Sequence, residues 1–528
     1  MVVLAALLNG CMFTSLSRTH ELSGEVRGLW TGAGDVTLRV TTDRESFLTS
    51  QSRNGEIAFA RELPTGAPYT VSLEESPPDH ACQVQSGATG IAAPESSEPV
   101  IVSCTGPDAG VTFDGPWPWS FDRTAEVQTF DGSVLTQQAR LTLTSGDPGI
   151  RAERDGLQVA LGQPSVIPLA MGTTTVTVVF ARADGLSKTY QLIFQRGAVE
   201  PELVKEFPST TPVRSVAIQG GLMAYAARAT LSPVAPTLVA HERTSAGWSP
   251  GLTTALAARD RNLLDATFPL SVHKDIVSLA QGASLDQFTR TAPGAFQARL
   301  DTIPRSNQVT GLAAIDEDLF LWNGAGDGTT GCGASVTPHT LRRLTLRTAN
   351  EVDCRRPVGH SGQPAAVAAN DLRVFAVENG VDEVHVLDRN LNQETGVSRP
   401  SGISAFRQGI VAAPGMFAVR ATLAANGSAV VEVFAASGTQ WTSVGRLANP
   451  ATPSSTTFAA GLALMRDFMA AGDPAGAGAV HLFLGAGALF APAKVIAAPP
   501  AAPGFGSLVA LSEDTLVVAS TSAVFLYR

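Results

Sequence analysis

FGSLVALSEDTLVVASTSAVFLYR, residues 505–528, is one copy of a pattern that this 528-residue chain repeats: two apolar segments separated by a short polar turn. The copy before it, FAAGLALMRDFMAAG, begins at Phe458, 47 residues upstream. Aligned on one small residue of the first segment, the copies are anchored at Ala510, Ala463, Ala412, Ala368, Ala314, Ser271 and Ala217. Intervals of 43 to 54 residues are typical of a propeller or a solenoid.

Each copy holds more than two strands. A third apolar segment follows, such as AVVEVFAA (429–436), and several copies add a fourth with an aromatic residue, as at Trp248 and Trp441. Four strands per repeat form one blade of a β-propeller. Seven anchors therefore predict a seven-bladed propeller over residues 199–528.

The last copy reaches Arg528 after its third strand, which leaves the outer strand of that blade to be supplied from elsewhere. The segment PELVKEFPST (201–210) precedes the first anchor and has no blade of its own. We predict that Leu203–Phe207 pairs with Ala523–Tyr527, because this pairing covers an otherwise open sheet edge and joins both ends of the ring.

Residues 505–528 resemble a degenerate FG-GAP repeat, the blade unit of the integrin-α-type β-propeller, and the resemblance extends over about 200–528. Functional FG-GAP blades often carry a DxDxDG calcium loop between the first two strands. The corresponding positions lack its ligand count and its glycine. They are Ser512-Glu513-Asp514, Met465-Arg466-Asp467, Asn370-Asp371 and Asp316-Glu317-Asp318. We therefore predict that Asp316 and Asp318 are turn residues, and we expect neither a metal site nor a cofactor.

Two smaller units precede the propeller. Residues 21–105 alternate apolar and polar positions between glycine-rich turns and resemble a Cys-paired, Ig-like β-sandwich module of bacterial exported proteins. Residues 108–197 contain a hairpin around Asp184-Gly185 and resemble the cadherin-like β-sandwich of bacterial surface proteins. The predicted fold class is thus all-β: two small β-sandwich domains followed by a seven-bladed β-propeller.

Trp117 and Trp119 lie in the second sandwich segment. They could form an exposed platform for a sugar, but such residues more often close the end of a sandwich core, and that interpretation is favoured.

The N-terminus, MVVLAALLNGC, predicts export. Its apolar run, Val2–Leu8, is too short to span a bilayer. Leu8-Asn9-Gly10-Cys11 resembles a bacterial lipobox, which implies a signal peptide at 1–10, acylation of Cys11, a linker at 11–20 and stable membrane anchoring. By family analogy, Met12 after the cysteine favours the outer membrane or cell surface. An ordinary secretory signal with a chance cysteine is the alternative.

The four remaining cysteines fall into two local pairs, Cys82 with Cys104 and Cys332 with Cys354, and each pair is 22 residues apart. In an exported chain such pairs predict disulfides. Four unrelated thiols are the alternative.

Composition limits the function. A net charge of −10 without a Lys/Arg cluster argues against nucleic acid. The sequence contains no GxSxG or HExxH motif, no catalytic residue is predicted, and single histidines such as His385 and His481 are interpreted as blade-surface residues.

Two hypotheses remain, because propellers host enzymes and binding proteins alike. The favoured one is a monomeric, non-catalytic, lipid-anchored envelope protein whose propeller binds protein or glycan. The alternative is an exported glycan-active enzyme with its site in the central channel.

Overall fold

The structure, a computed structural model, describes most of the chain, and all structural statements concern those residues. They are 19–93, 98–114, 119–228, 236–244, 247–249, 252–256, 268–281, 284–292, 295–299, 307–326, 340–345, 351–355, 364–378, 382–438, 440–486 and 489–528.

The described chain is all-β, as the sequence predicts. It divides into two compact units, Met1–Val199 and Glu200–Arg528. In these ranges no helix has the length and apolar character needed to cross a membrane.

The first unit begins with a sandwich of two four-stranded sheets, ordered β5-β2-β10-β8 and β4-β3-β7-β9, while β1 pairs with β6. Alternate side chains of both sheets fill one apolar core that includes Val26, Leu38 and Val102. The predicted disulfide between Cys82 and Cys104 is present and joins directly opposed residues of β8 and β10. The strands are β1 (Thr19–His20), β2 (Gly24–Arg27), β3 (Val36–Thr42), β4 (Ser46–Gln51), β5 (Gly55–Glu56), β6 (Leu63–Pro64), β7 (Pro68–Glu75), β8 (Ala81–Ser86), β9 (Thr89–Ile91) and β10 (Val100–Thr105).

A second sandwich completes this unit, with sheets ordered β11-β13-β16 and β12-β18-β17-β14-β15. The predicted turn at Asp184-Gly185 connects its two longest strands, and Gly185 has a positive φ of 93° that suits a residue without a Cβ. The last strand runs to Val199, two residues beyond the predicted end of this domain at 197. The strands are β11 (Ala109–Asp114), β12 (Val127–Ser133), β13 (Gln138–Ser145), β14 (Ile150–Arg154), β15 (Leu157–Val159), β16 (Pro164–Pro168), β17 (Gly172–Arg182) and β18 (Ser187–Val199).

The described part of the second unit contains seven antiparallel sheets, which we number as blades 1 to 7 in chain order. In blade 1 two short strands, β23 and β24, share the outermost position. Blade 1 comprises β20 (Val213–Gln219), β21 (Leu222–Ala227), β22 (Thr237–Thr244), β23 (Gly247–Trp248) and β24 (Leu252–Ala255). Blade 2 comprises β25 (Leu270–His273), β26 (Ile276–Gln281), β27 (Ser284–Ala292) and β28 (Ala295–Arg299). Blade 3 comprises β29 (Asn307–Ile315), β30 (Asp318–Gly326), β31 (Thr340–Thr345) and β32 (Glu351–Arg355).

Blades 4 to 7 follow the same order of strands from the centre outwards. Blade 4 comprises β33 (Pro364–Ala369), β34 (Arg373–Glu378), β35 (Glu383–Asp388) and β36 (Gln393–Ser398), and blade 5 comprises β37 (Ile403–Ala413), β38 (Met416–Leu423), β39 (Ala429–Ser437) and β40 (Gln440–Ala448). Blade 6 comprises β41 (Leu462–Met465), β42 (Phe468–Asp473), β43 (Ala479–Ala486) and β44 (Leu489–Ala497). Blade 7 comprises β45 (Leu508–Ser512), β46 (Thr515–Ala519), β47 (Ala523–Tyr527) and, as its outer strand, β19 (Leu203–Pro208).

The predicted pairing of the two ends of the ring is confirmed. Strand β19 pairs antiparallel with β47, so that Leu203 lies opposite Tyr527 and Phe207 opposite Val524. Two further backbone hydrogen bonds, of 2.8 and 3.0 Å, join Glu202 to Arg528. The first strand of each blade contacts the first strand of the next, and β45 contacts β20, which closes the ring.

In four blades the second strand is completely buried. Every residue of β21, β26, β42 and β46 is buried, because neighbouring blades cover both faces of the sheet. This explains why these segments are continuous apolar runs in the sequence rather than alternating ones.

Candidate functional site

The central channel is lined by the seven first strands. Cavities of about 280 and 310 Å³ lie along it, and small or aliphatic side chains such as Ala314 and Val411 predominate in their lining. Gly311 and Gly461 let adjacent strands approach closely, because a Cβ there would lie within 3.0 Å of Val367 and 2.7 Å of the Val509 nitrogen. The channel is therefore narrow, and the side chains that line it are mainly small or aliphatic, with Arg214 and Gln408 at one of its ends.

Two acidic residues near the start of the second strand of blade 3 are held by arginines. Asp316 occupies the turn, as the sequence predicts, with a φ of 49°. The same prediction for Asp318 is wrong, because Asp318 is the first residue of β30. The Arg389 guanidinium lies 2.8 Å from a carboxylate oxygen of Asp316 and 2.8 Å from one of Asp318. Arg343 Nε donates to the other Asp318 oxygen at 2.8 Å. In the part of the chain that the structure describes, no three His, Cys, Asp or Glu residues are grouped so that they could hold a metal ion.

A polar recess of about 520 Å³ opens on blade 6, between the loop that precedes β41 and the turn that joins β42 to β43. The hydroxyl-bearing residues Thr452, Ser454 and Thr456 line its exposed part. Its buried floor consists of Asn449, Ser455, Asp473 and His481. We call this cavity the blade 6 recess.

Asp473 organises the floor of the recess. It accepts hydrogen bonds from Asn449 Nδ2 at 2.6 Å, from the Thr457 hydroxyl and from the Ala475 amide at 3.2 Å. Burial disfavours its charged form, but these bonds and one from Ser455 outweigh that cost and lower the pKa of Asp473. The carboxylate therefore stays ionised and fixes the loop against the turn.

His481 lies beside this network. Its side chain is 2% exposed, its ring contacts Phe458 edge-on at 5.8 Å, and its Nδ1 atom has no hydrogen-bond partner. Burial lowers the pKa of His481, and the nearby Asp473 charge offsets only part of that effect. The imidazole is therefore neutral near pH 7.

The prediction that His385 and His481 are blade-surface residues is wrong, because each is only 2% exposed. Both lie in third strands, opposite the fourth residue of the second strand. The same position holds a buried polar residue in five consecutive blades: Asp286, Arg342, His385, Glu432 and His481. Sequence reasoning missed this set, since its common signal is position within the blade rather than residue type.

One such position shows how a blade accommodates a buried charge. Glu432 is 1% exposed and accepts hydrogen bonds from the Ser443 hydroxyl and, at 2.7 Å, from Arg446 Nε in the adjacent outer strand. His481 differs because it lines a cavity and keeps an unpartnered nitrogen.

A buried lysine joins the two sandwiches of the first unit. Lys188 Nζ, on the second sandwich, donates to the Leu29 carbonyl of the first at 2.9 Å and to Glu126 at 2.8 Å. Burial lowers the pKa of Lys188, and Glu126 offsets part of that effect. A backbone bridge between Thr31 and Ser187 lies close by in sequence.

Other predicted residues are placed as follows. Trp119 packs against Phe113, Phe130 and Phe194 and donates to the Asp131 carbonyl at 2.9 Å, which confirms the core interpretation. Trp117 and the predicted lipidation site Cys11 lie outside the described residues. The predicted Cys332–Cys354 disulfide does too, because Cys332 is not among them.

Seven sheets in a closed ring, with first strands around a channel, define a β-propeller protein. No protein-family model matches the chain, and no curated protein matches it. Solved structures that resemble it include the WD40 repeats of RRP9, at 11% identity and a TM-score of 0.44, covering 62% of this chain and all of that one. The Cps50 (Swd1) β-propeller domain of Myceliophteria thermophila matches at 11% identity and a TM-score of 0.42, covering 62% of this chain and 99% of that one. The strand topology carries the fold assignment.

Proposed function

We propose that the protein is a non-catalytic binding protein of the bacterial cell envelope. In this proposal a lipid on Cys11 anchors it, the two sandwiches form a stalk, and the propeller presents a surface that binds protein or glycan. The blade 6 recess is the observation that carries it, because its buried polar floor is fixed by hydrogen bonds before any ligand arrives. Such preorganisation lowers the entropic cost of binding.

The state of the carboxylates favours binding over turnover. A carboxylic acid that donates a proton in catalysis needs a raised pKa, whereas hydrogen bonds lower the pKa of Asp473. Asp316 and Asp318 are paired with arginines. The mainly aliphatic lining of the channel gives less support to the alternative, an exported glycan-active enzyme with its site there.

The buried contact between the two sandwiches supports the proposal that they form a stiff stalk. Removing one partner of a buried, hydrogen-bonded charge is costly, so Lys188 and its acceptors resist separation of the two sandwiches. A stiff spacer between an anchor and a binding domain keeps that domain away from the membrane surface.

Two measurements test the proposal. The purified protein is applied to a glycan array and to a panel of chromogenic glycosidase substrates, with binding and no turnover expected. Reproducible hydrolysis of any substrate, abolished by heat denaturation, would overturn the non-catalytic assignment.

The anchor is tested separately in cells given labelled palmitate. Wild-type protein should incorporate label and fractionate with the outer membrane, and the Cys11→Ala variant should do neither. An unlabelled wild-type protein in the soluble fraction would contradict lipidation.

A further inference from the structure

We infer that the blade 6 recess is a binding site for a neutral, hydroxyl-rich ligand, that is, for a carbohydrate. This inference rests on the proposed binding function and assigns its ligand class and its location. A volume of about 520 Å³ lies within the range of small-molecule sites, roughly 300–1,000 Å³.

The hydrogen-bonding groups of the recess match hydroxyls. Three exposed residues, Thr452, Ser454 and Thr456, carry side-chain hydroxyls that can both donate and accept. Behind them, His481 Nδ1 has no partner although its side chain is almost completely buried. A buried polar atom without a partner costs about 1–3 kcal/mol, and a ligand hydroxyl, which can donate to or accept from an imidazole nitrogen, removes that cost.

Charge limits the ligand to a neutral one. No residue that lines the recess is Lys or Arg. Arg420 interacts with Asp473 from outside the lining, but its guanidinium is already bound to the Thr456 and Phe458 carbonyls, so an anion would face the Asp473 carboxylate with little compensation. A cation would gain little from Asp473, because both of its oxygens already accept hydrogen bonds. Neutral sugars avoid both penalties and offer several hydroxyls at once.

The lining favours a sugar over a peptide segment. The apolar lining residues are alanines and Val495. Peptides usually bind through larger apolar anchors that fill matching pockets. The recess offers small side chains and backbone around a polar floor, which suits a ring carrying hydroxyls on its periphery.

The test uses the full-length protein. An array of neutral oligosaccharides identifies a probe, and calorimetry then measures its affinity for four proteins. Besides wild type, these are the double variant Thr452→Val/Thr456→Val, which removes two exposed hydroxyls without changing shape, His481→Gln, and His385→Gln as the matched control. His385 is equally buried at the same position of blade 4 and is not among the lining residues of the recess.

We expect His481→Gln and the double valine variant each to weaken binding by about tenfold, the equivalent of one hydrogen bond, and His385→Gln to leave it unchanged. Circular dichroism and urea unfolding confirm that each variant is folded, and the exposed valine variant remains informative if His481→Gln is unstable.

Three outcomes would overturn the inference. The first is a sugar that binds equally well to all four proteins. The second is the absence of binding on the oligosaccharide array together with binding of a peptide on a peptide array. Both of these outcomes leave the proposed binding function intact. In the third, neither array gives a signal, and both proposals fail together.

Discussion

The junctions between blades fall into two contiguous arcs that are held together differently. From blade 7 through blade 1 to blade 4, each junction carries an ion pair between neighbouring blades, and we call this the ionic arc. Its pairs are Asp514 with Arg243, Glu242 with Arg290, Lys274 with Glu317, and Arg389 with Asp316 and Asp318.

From blade 4 to blade 7 the junctions depend on close packing and on side chains that bind backbone carbonyls, and we call this the packed arc. Its contacts are Asn370 with the Ala413 carbonyl, Arg420 with the Phe458 carbonyl, and Gly472 against Gly506, where a Cβ would lie 1.9 Å from the carbonyl oxygen. An exposed ion pair, Lys494 with Glu200, lies at the last of these junctions.

The difference shows that one repeat can close a ring by two kinds of interaction. Phe375, Phe417, Phe434 and Trp441 form a continuous aromatic cluster in the packed arc. Contacts of that kind depend little on salt, whereas partly exposed ion pairs are screened by it. The two arcs should therefore respond differently to truncation and to salt.

The largest effect is expected in the packed arc. Phe417 is fully buried, and its ring lies 4.7 Å from Phe434 and 4.9 Å from Phe375. Phe417→Ala should lower the free energy of unfolding by about 4 kcal/mol, because it removes an aromatic ring and leaves a cavity. Urea unfolding measures this, with the exposed Leu372→Ala as control. A loss below about 1.5 kcal/mol would contradict the importance of this cluster.

A smaller effect is expected from the best-buried pair of the ionic arc. The Asp318 side chain is 8% exposed and accepts from two arginines, which are themselves partly exposed. Asp318→Ala should lower the free energy of unfolding by about 2 kcal/mol, less than the 3–5 kcal/mol of a fully buried pair because water can solvate the freed arginines. If this variant were as destabilised as Phe417→Ala, the two arcs would not differ as described.

Acid should weaken both arcs. Burial lowers the pKa of His241, at the junction of blades 7 and 1, and of His481 in the packed arc. The unfolded chain then binds more protons than the folded chain, so stability is complete above the unfolded pKa of about 6.5 and is lost as pH falls towards the folded values. The urea midpoint should decrease between about pH 7 and pH 5. His241→Gln and His481→Gln should each flatten that slope, and unchanged slopes would reject this explanation.

The smallest effect is expected at the exposed pair. Lys274 and Glu317 are each about half exposed. Glu317→Ala should cost less than about 0.5 kcal/mol, and the cost should disappear in 1 M NaCl. Parallel urea titrations at low and high salt measure it. A salt-independent loss would mean that Glu317 has a packing role.

The sequence predicted the features that repeat. The anchors Ala217 to Ala510 recur because every first strand must pack at the same channel, and β19 was predicted as the outer strand of blade 7 because a sheet edge requires a partner. The turn at Asp316 followed from the position of the polar residues between two apolar strands.

The recess and the buried polar positions could not be predicted in the same way. Loops of unequal length separate the third strands from the anchors, so that His481 and Glu432 lie at different distances from their anchors in the sequence. A signal for the recess was nevertheless present: the loop NPATPSSTT (449–457) carries five hydroxyl residues directly before Phe458. Only the fold brings this loop over Asp473 and His481.

The pairing of β19 with β47 also has a consequence for how the protein is made. During synthesis 314 residues follow Pro208 before Ala523, its partner, is added. At about 5–20 residues per second, β19 waits roughly a quarter of a minute to a minute for β47. Throughout that time β19 lacks its partner strand. An unpaired β19 strand can also pair with β47 of another molecule when the protein concentration is high. Refolding of the complete chain at high concentration should therefore yield strand-exchanged oligomers, while dilute refolding yields closed monomeric rings.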